Sequence, residues 1–68
     1  MASVARVTEI SSRSEQSFEE AVRVGLERAH KTLRGVKSAW IKEQRVDVEN
    51  GRIVGYQVNL LVTFVLED

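Results

Sequence analysis

The sequence predicts an α+β subunit with the order β-α-β-β, a three-stranded antiparallel sheet carrying one long helix on one face. Three observations carry that reading. Phe18, Ala21, Val22, Gly25, Leu26, Ala29 and Leu33 recur at three- and four-residue spacing, the stripe of an amphipathic helix. Asn50-Gly51 separates two strand-like runs, the strongest short-range signal of a hairpin. The last run, from Ile53 to Leu66, alternates so as to give two different faces, one of them wholly apolar.

Each element has its own justification. Ser3 to Ile10 places Val4, Val7 and Ile10 among Arg6, Thr8 and Glu9, a charged strand suited to a sheet edge. Ser11-Ser12-Arg13-Ser14 is expected to break it. Ser14 is the expected N-cap, with Glu15, Glu19 and Glu20 at the positive end of the helix dipole. Lys31 and Arg34 load the other end and Gly35 stops it, giving a helix from about residue 15 to 34. The second strand runs from Val36 to about Glu49. Ala39 and Ile41 share one of its faces and Val46 and Val48 the other, so a bulge is expected within Lys42–Arg45.

The third strand decides what the subunit needs. Its even positions, Tyr56, Val58, Leu60, Val62, Phe64 and Leu66, suffice to cover the helix stripe. Its odd positions hold Gln57, Asn59, Leu61, Thr63 and Val65, and one helix covers only one side of a sheet. Leu61 and Val65, with Trp40 or Ile41 beside them, are then left as an apolar patch of the kind that marks an interface. Size points the same way. The chain has 68 residues, no cysteine and a single histidine, so disulfides, thiolate metal sites and an imidazole cluster within one subunit are all excluded. A domain this short has a marginal core, and association with other chains is the stabilising device left to it.

Ten basic and ten acidic residues cancel and are dispersed, which argues against nucleic acid or an anionic membrane as partner. The start lacks the apolar stretch of a signal peptide and no apolar run approaches a bilayer span, so a cytoplasmic location is expected. The chain reads as a single domain over residues 1–68, without repeat or linker.

No phosphate loop, nucleophile elbow or zinc-protease motif is present, so no catalytic residue is assigned and no enzyme is expected. His30 and the helix carboxylates Glu19, Glu20 and Glu27 read as a solvated face, and no metal ligands are assigned. Glu67-Asp68 are a further candidate, for holding a cation where several subunits meet. Trp40, the sole tryptophan, either stacks on a flat ligand or fills an interface. Gln57 carries a donor and an acceptor, suited to the edge of a heterocycle or to a neighbouring backbone. Arg45 suits a phosphate, or an ion pair with Glu43, Asp47 or Glu49.

The order of elements and several strings resemble the dodecin family. They are Arg6-Val7 followed by Glu9-Ile10, the Ser14 position, and Arg28-Ala29-His30-Lys31-Thr32-Leu33-Arg34. Further on come Glu43-x-Arg45, then Tyr56-Gln57-Val58 leading into Val62-Thr63-Phe64-Val65-Leu66. The likeness spans nearly the whole chain. It implies a hollow homododecamer that binds and stores flavin, riboflavin or flavin mononucleotide (FMN), without turnover. In that pattern tryptophans of neighbouring subunits stack on the flavin, a glutamine matching Gln57 reads its edge, and FMN-binding members carry an arginine where Arg45 stands. Aligned without gaps, Ser38 occupies the stacking position and Trp40 follows two residues later. Positions two apart in a strand share a face but stand ~6.5–7 Å apart. The cofactor-site candidates are therefore Trp40, Gln57, Arg45 and Ser38, with a dodecin-like structural or ion-holding cage that binds no flavin as the alternative.

Overall fold

The computed structural model describes residues 2–66, so Glu67 and Asp68, and the cation role considered for them, lie outside the described residues. Its elements are β1 (Ala5–Ser14), α1 (Phe18–Thr32), β2 (Val36–Glu49) and β3 (Arg52–Val65). All pairing is antiparallel in the order β1-β3-β2, which puts the long C-terminal strand in the centre and β1 on an edge, as its charges suggest. Asn50 and Gly51 both take positive φ, 51° and 77°, the pair of values a two-residue primed turn requires.

β1 does not stop at Ile10. Ser11 to Ser14 continue the ladder opposite Asn59 to Tyr56. The reason is steric. The helix crosses here so closely that a Cβ on Gly25 would lie 3.1 Å from the Ser12 Cβ and 3.2 Å from Leu60 Cδ1. Small polar residues that read as a loop in the sequence are what this close crossing admits. Ser14 correspondingly does not cap the helix: it ends β1, buried, with its hydroxyl accepting from the Gln16 amide at 2.9 Å. The cap is Ser17, whose hydroxyl accepts from the Glu20 amide at 2.9 Å. The helix is thus shorter than the 15–34 expected from sequence. At its other end the Leu33 amide donates to the Ala29 carbonyl, and Gly35 turns the chain with φ 73°. A Cβ there would stand 3.1 Å from the Val65 carbonyl oxygen.

The core follows the even face of β3. Val58, Leu60 and Val62 are fully buried with Ala21 and Ala29 of the helix, and Ile10, Phe18, Val22, Leu26, Leu33, Val36 and Ala39 surround them. Phe18 meets Tyr56 edge to face, with ring centroids 5.1 Å apart. Leu66, expected on this face, is instead half exposed at the end of the strand. On the outer surface Arg23 bridges Glu20 and Glu27, and the hydrogen bond to Glu20 chiefly raises the guanidinium pKa further.

The expected irregularity in β2 is a register shift between Ile41 and Glu43, leaving Lys42 as the extra residue. It returns Val46, opposite Tyr56, to the helix side of the sheet that Ala39 and Ile41 occupy opposite Val62 and Leu60. The apolar parity flips in the sequence so that it need not flip in space. A second shift falls between Val36 and Ser38, and a third between Asp47 and Val48.

Candidate functional site

The sheet face away from the helix is built in rows across the three strands. Val7, Thr63 and Ser38 form one; Glu9, Leu61 and Trp40 the next; then Ser11, Asn59 and Glu43; then Arg13, Gln57 and Arg45. All four predicted site residues, Ser38, Trp40, Arg45 and Gln57, lie on this face. Ile41, an alternative companion for Leu61 in the sequence, pairs with Leu60 instead, so Trp40 alone holds that place. Regular pairing from Ser38 to Ile41 leaves Ser38 and Trp40 in adjacent rows.

The indole of Trp40 is half exposed, at 50%. Beside it the Lys42 ammonium meets the Glu9 carboxylate at 3.2 Å, a pair from opposite edge strands that crosses over the centre of the face. Four residues along β3 from Leu61, about 13 Å at strand rise, stands Gln57. Its carbonyl oxygen accepts from Arg45 Nη2 and its amide donates to Ser11 Oγ, each at 3.0 Å. Arg45 also lies 4.0 Å from Asp47 Oδ1, so of the three carboxylates considered for it, Asp47 is its partner.

Arg13 was not singled out by sequence reasoning. Its Nε donates to Asp47 Oδ2 at 3.0 Å and Nη2 to the Val54 carbonyl, with the guanidinium in the space a Cβ on Gly55 would fill. The signal was available only in the pairing, since the glycine that admits this arginine is forty-odd residues away in sequence.

A depression of about 100 Å³ opens among Glu43, Gln44, Arg45, Gln57 and Asn59. Ligand pockets usually run to ~300–1,000 Å³, so one subunit offers a floor and not a complete pocket. What it offers is a half-exposed indole at one end and a guanidinium with amides at the other, suited to a flat aromatic ligand with a polar edge. Among the described residues no group of three or more histidine, cysteine or acidic side chains could hold a metal ion, and no helix is long and apolar enough to cross a membrane.

The family model named Dodecin matches residues 4–67. The chain belongs to the dodecin family. Solved structures agree with that membership. Dodecin from Streptomyces davaonensis is 31% identical, with all of both chains covered and a TM-score of 0.91. An arginine-to-alanine variant of Thermus thermophilus dodecin is 36% identical, over 98% of each chain, with a TM-score of 0.90. The calcium dodecin of Mycobacterium tuberculosis, described as calcium-chelating with a novel calcium-binding site, is 30% identical over 96% of this chain and 93% of its own, with a TM-score of 0.80. No curated protein matches the chain. The β-α-β-β order, the antiparallel sheet and the single helix are those of a dodecin subunit.

Proposed function

We propose that this dodecin is a non-catalytic cytoplasmic cage subunit, assembling as a homododecamer that binds and stores a small planar ligand, with riboflavin or FMN as that ligand. The observation that carries the reading is the sheet face on which Trp40, Arg45 and Gln57 stand together with no element of the described residues over them. Trp40 supplies a stacking surface and Arg45 with Gln57 a polar end that meets the ring edge or a phosphate. Walls come from neighbouring subunits, because the depression in one chain is too small to enclose a ring system. Binding without turnover suits a face on which Lys42 is held by Glu9 and Arg45 lies beside Asp47.

One observation favours the second reading, a cage that takes no flavin. Ser38 stands where the family's stacking tryptophan is expected, and Trp40 occupies the next row, ~6.5–7 Å on. Contacts of stacked rings fall away within about an ångström of the optimum, so a flavin must follow the indole or lose it.

Titration of riboflavin and FMN at micromolar concentration separates the two readings. Quenching of flavin emission that disappears in Trp40→Ala supports the first. Unchanged emission with the native chain refutes it, and restored quenching in Ser38→Trp would then trace the loss to that position. Light scattering at the mass of a dodecamer of 7.7 kDa chains tests the cage separately; a monomer refutes it.

A further inference from the structure

Within the depression, Gln57 has both ends of its amide engaged. Its oxygen holds Arg45 and its nitrogen holds Ser11, which leaves one lone pair and one N–H of the amide for other partners. Asn59, one row along on the same face, differs. Its Nδ2 donates to Glu43 Oε1 at 3.3 Å, a long bond, while its Oδ1 is buried with no hydrogen-bond partner among the described residues. Ser11, its neighbour on β1, already receives the Gln57 amide and does not reach that oxygen.

Turning the amide over does not resolve this. The exchange would set Oδ1 against the Glu43 carboxylate, two acceptors face to face, so the group lacks a donor in either orientation. A buried acceptor left without a donor is costly, and native proteins rarely tolerate one without a use for it. Glu43 adds spare acceptor capacity, since among the described residues its side chain is paired by this single bond from Asn59, and the nearby Lys42 is held by Glu9. The Arg45 guanidinium, one row along, lines the same depression as a charged donor.

We infer that Asn59, with Glu43, receives a ring N–H of the bound ligand. The inference rests on the proposed binding of a planar heterocycle and specifies which part of it is read. The ligand class is a heterocycle with an imide or lactam N–H flanked by carbonyl oxygen, the N–H toward Asn59 and Glu43 and the oxygen toward Arg45. The terminal torsion of asparagine is broad, so a modest turn presents Oδ1 to the depression. A ligand without that N–H leaves the acceptor unpaired and pays for it in affinity.

The test uses riboflavin and riboflavin methylated at its imide nitrogen, each titrated against the assembled protein by flavin emission. The native chain prefers riboflavin by roughly tenfold or more, the ratio expected when a buried acceptor is left unpaired. Asn59→Leu removes the preference while stacking on Trp40 still quenches both flavins. Should Asn59→Leu fail to assemble, Asn59→Ala gives the same readout. Preference retained without Asn59 overturns the inference and leaves the proposed function standing. Failure of both flavins to bind the native chain refutes the proposed function and this inference with it.

Discussion

Gly25 of the helix and Ser12 of β1 meet so closely that a methyl group at Gly25 would lie 3.1 Å from the Ser12 Cβ. Ser12 cannot retreat, because its Cβ is fixed by a paired strand, whereas Leu60 Cδ1 on the other side can turn aside. Gly25→Ala therefore sets a gain in helix propensity of ~1 kcal/mol against a modest clash, and stays near neutral. Gly25→Val adds two further carbons that this crossing has no room for, and costs ~1–3 kcal/mol. Thermal unfolding of the two variants checks this; a valine variant as stable as the alanine one would show that the crossing is not tight.

Ser17→Ala should cost ~1 kcal/mol, the usual loss of an N-cap hydroxyl. Chemical denaturation measures it, and a loss much below that of Ser14→Ala would contradict the cap. Ser14 binds two amides of the link, Gln16 and Ser17, whereas Ser17 binds within the helix itself. The two serines show where sequence reading falls short. Both precede acidic residues, yet only Ser17 has glutamate three positions on, Glu20, the capping-box spacing that separates them. The signal was present in the chain and outvoted by the polar run before it.

The sheet was legible for a different reason. Alternation along β3 is a property of one strand, so its buried and open faces follow from the residues alone, and the parity break in β2 announced the Lys42 bulge. The site was legible only as residue types. That Trp40, Arg45 and Gln57 share a face follows from alternation and the bulge together. That Gln57 is held at both ends, that Asn59 is not, and that Arg13 rests on Gly55 depend on cross-strand register. Register is set by three shifts, of which the sequence betrayed one.

The hairpin outruns its helix. A fifteen-residue helix covers about 22 Å, whereas fourteen-residue strands extend about 46 Å, so the turn end of β2 and β3 has no cover. Val48 and Ile53, paired there, are both more than half exposed. If the cage buries them, Val48→Asp with Ile53→Lys lowers the assembled mass seen by light scattering while the far-ultraviolet dichroism of the subunit persists. The new charges are opposite and face each other across the strands, so the subunit itself loses little. An unchanged assembly mass would place these residues outside the contacts.

Trp40 reports on the open face without any label, since the chain has no second indole. In one subunit its ring is half exposed and flanked by the charged Glu9–Lys42 pair, an environment that gives water-like, long-wavelength emission. If the proposed assembly packs a neighbouring subunit over Leu61, that water is removed and the emission moves to shorter wavelength, because the excited indole is no longer relaxed by mobile solvent. Denaturant that separates subunits before unfolding them should then shift the emission to the red ahead of the loss of helical dichroism, and more steeply at low protein concentration, as mass action requires. Lys42→Met tests the contribution of the pair: it leaves Glu9 alone on the face and, for an exposed ion pair, costs the subunit no more than ~1 kcal/mol. Emission already at long wavelength in the intact assembly, and indifferent to dilution, would mean that Trp40 faces an open cavity and not a neighbouring chain.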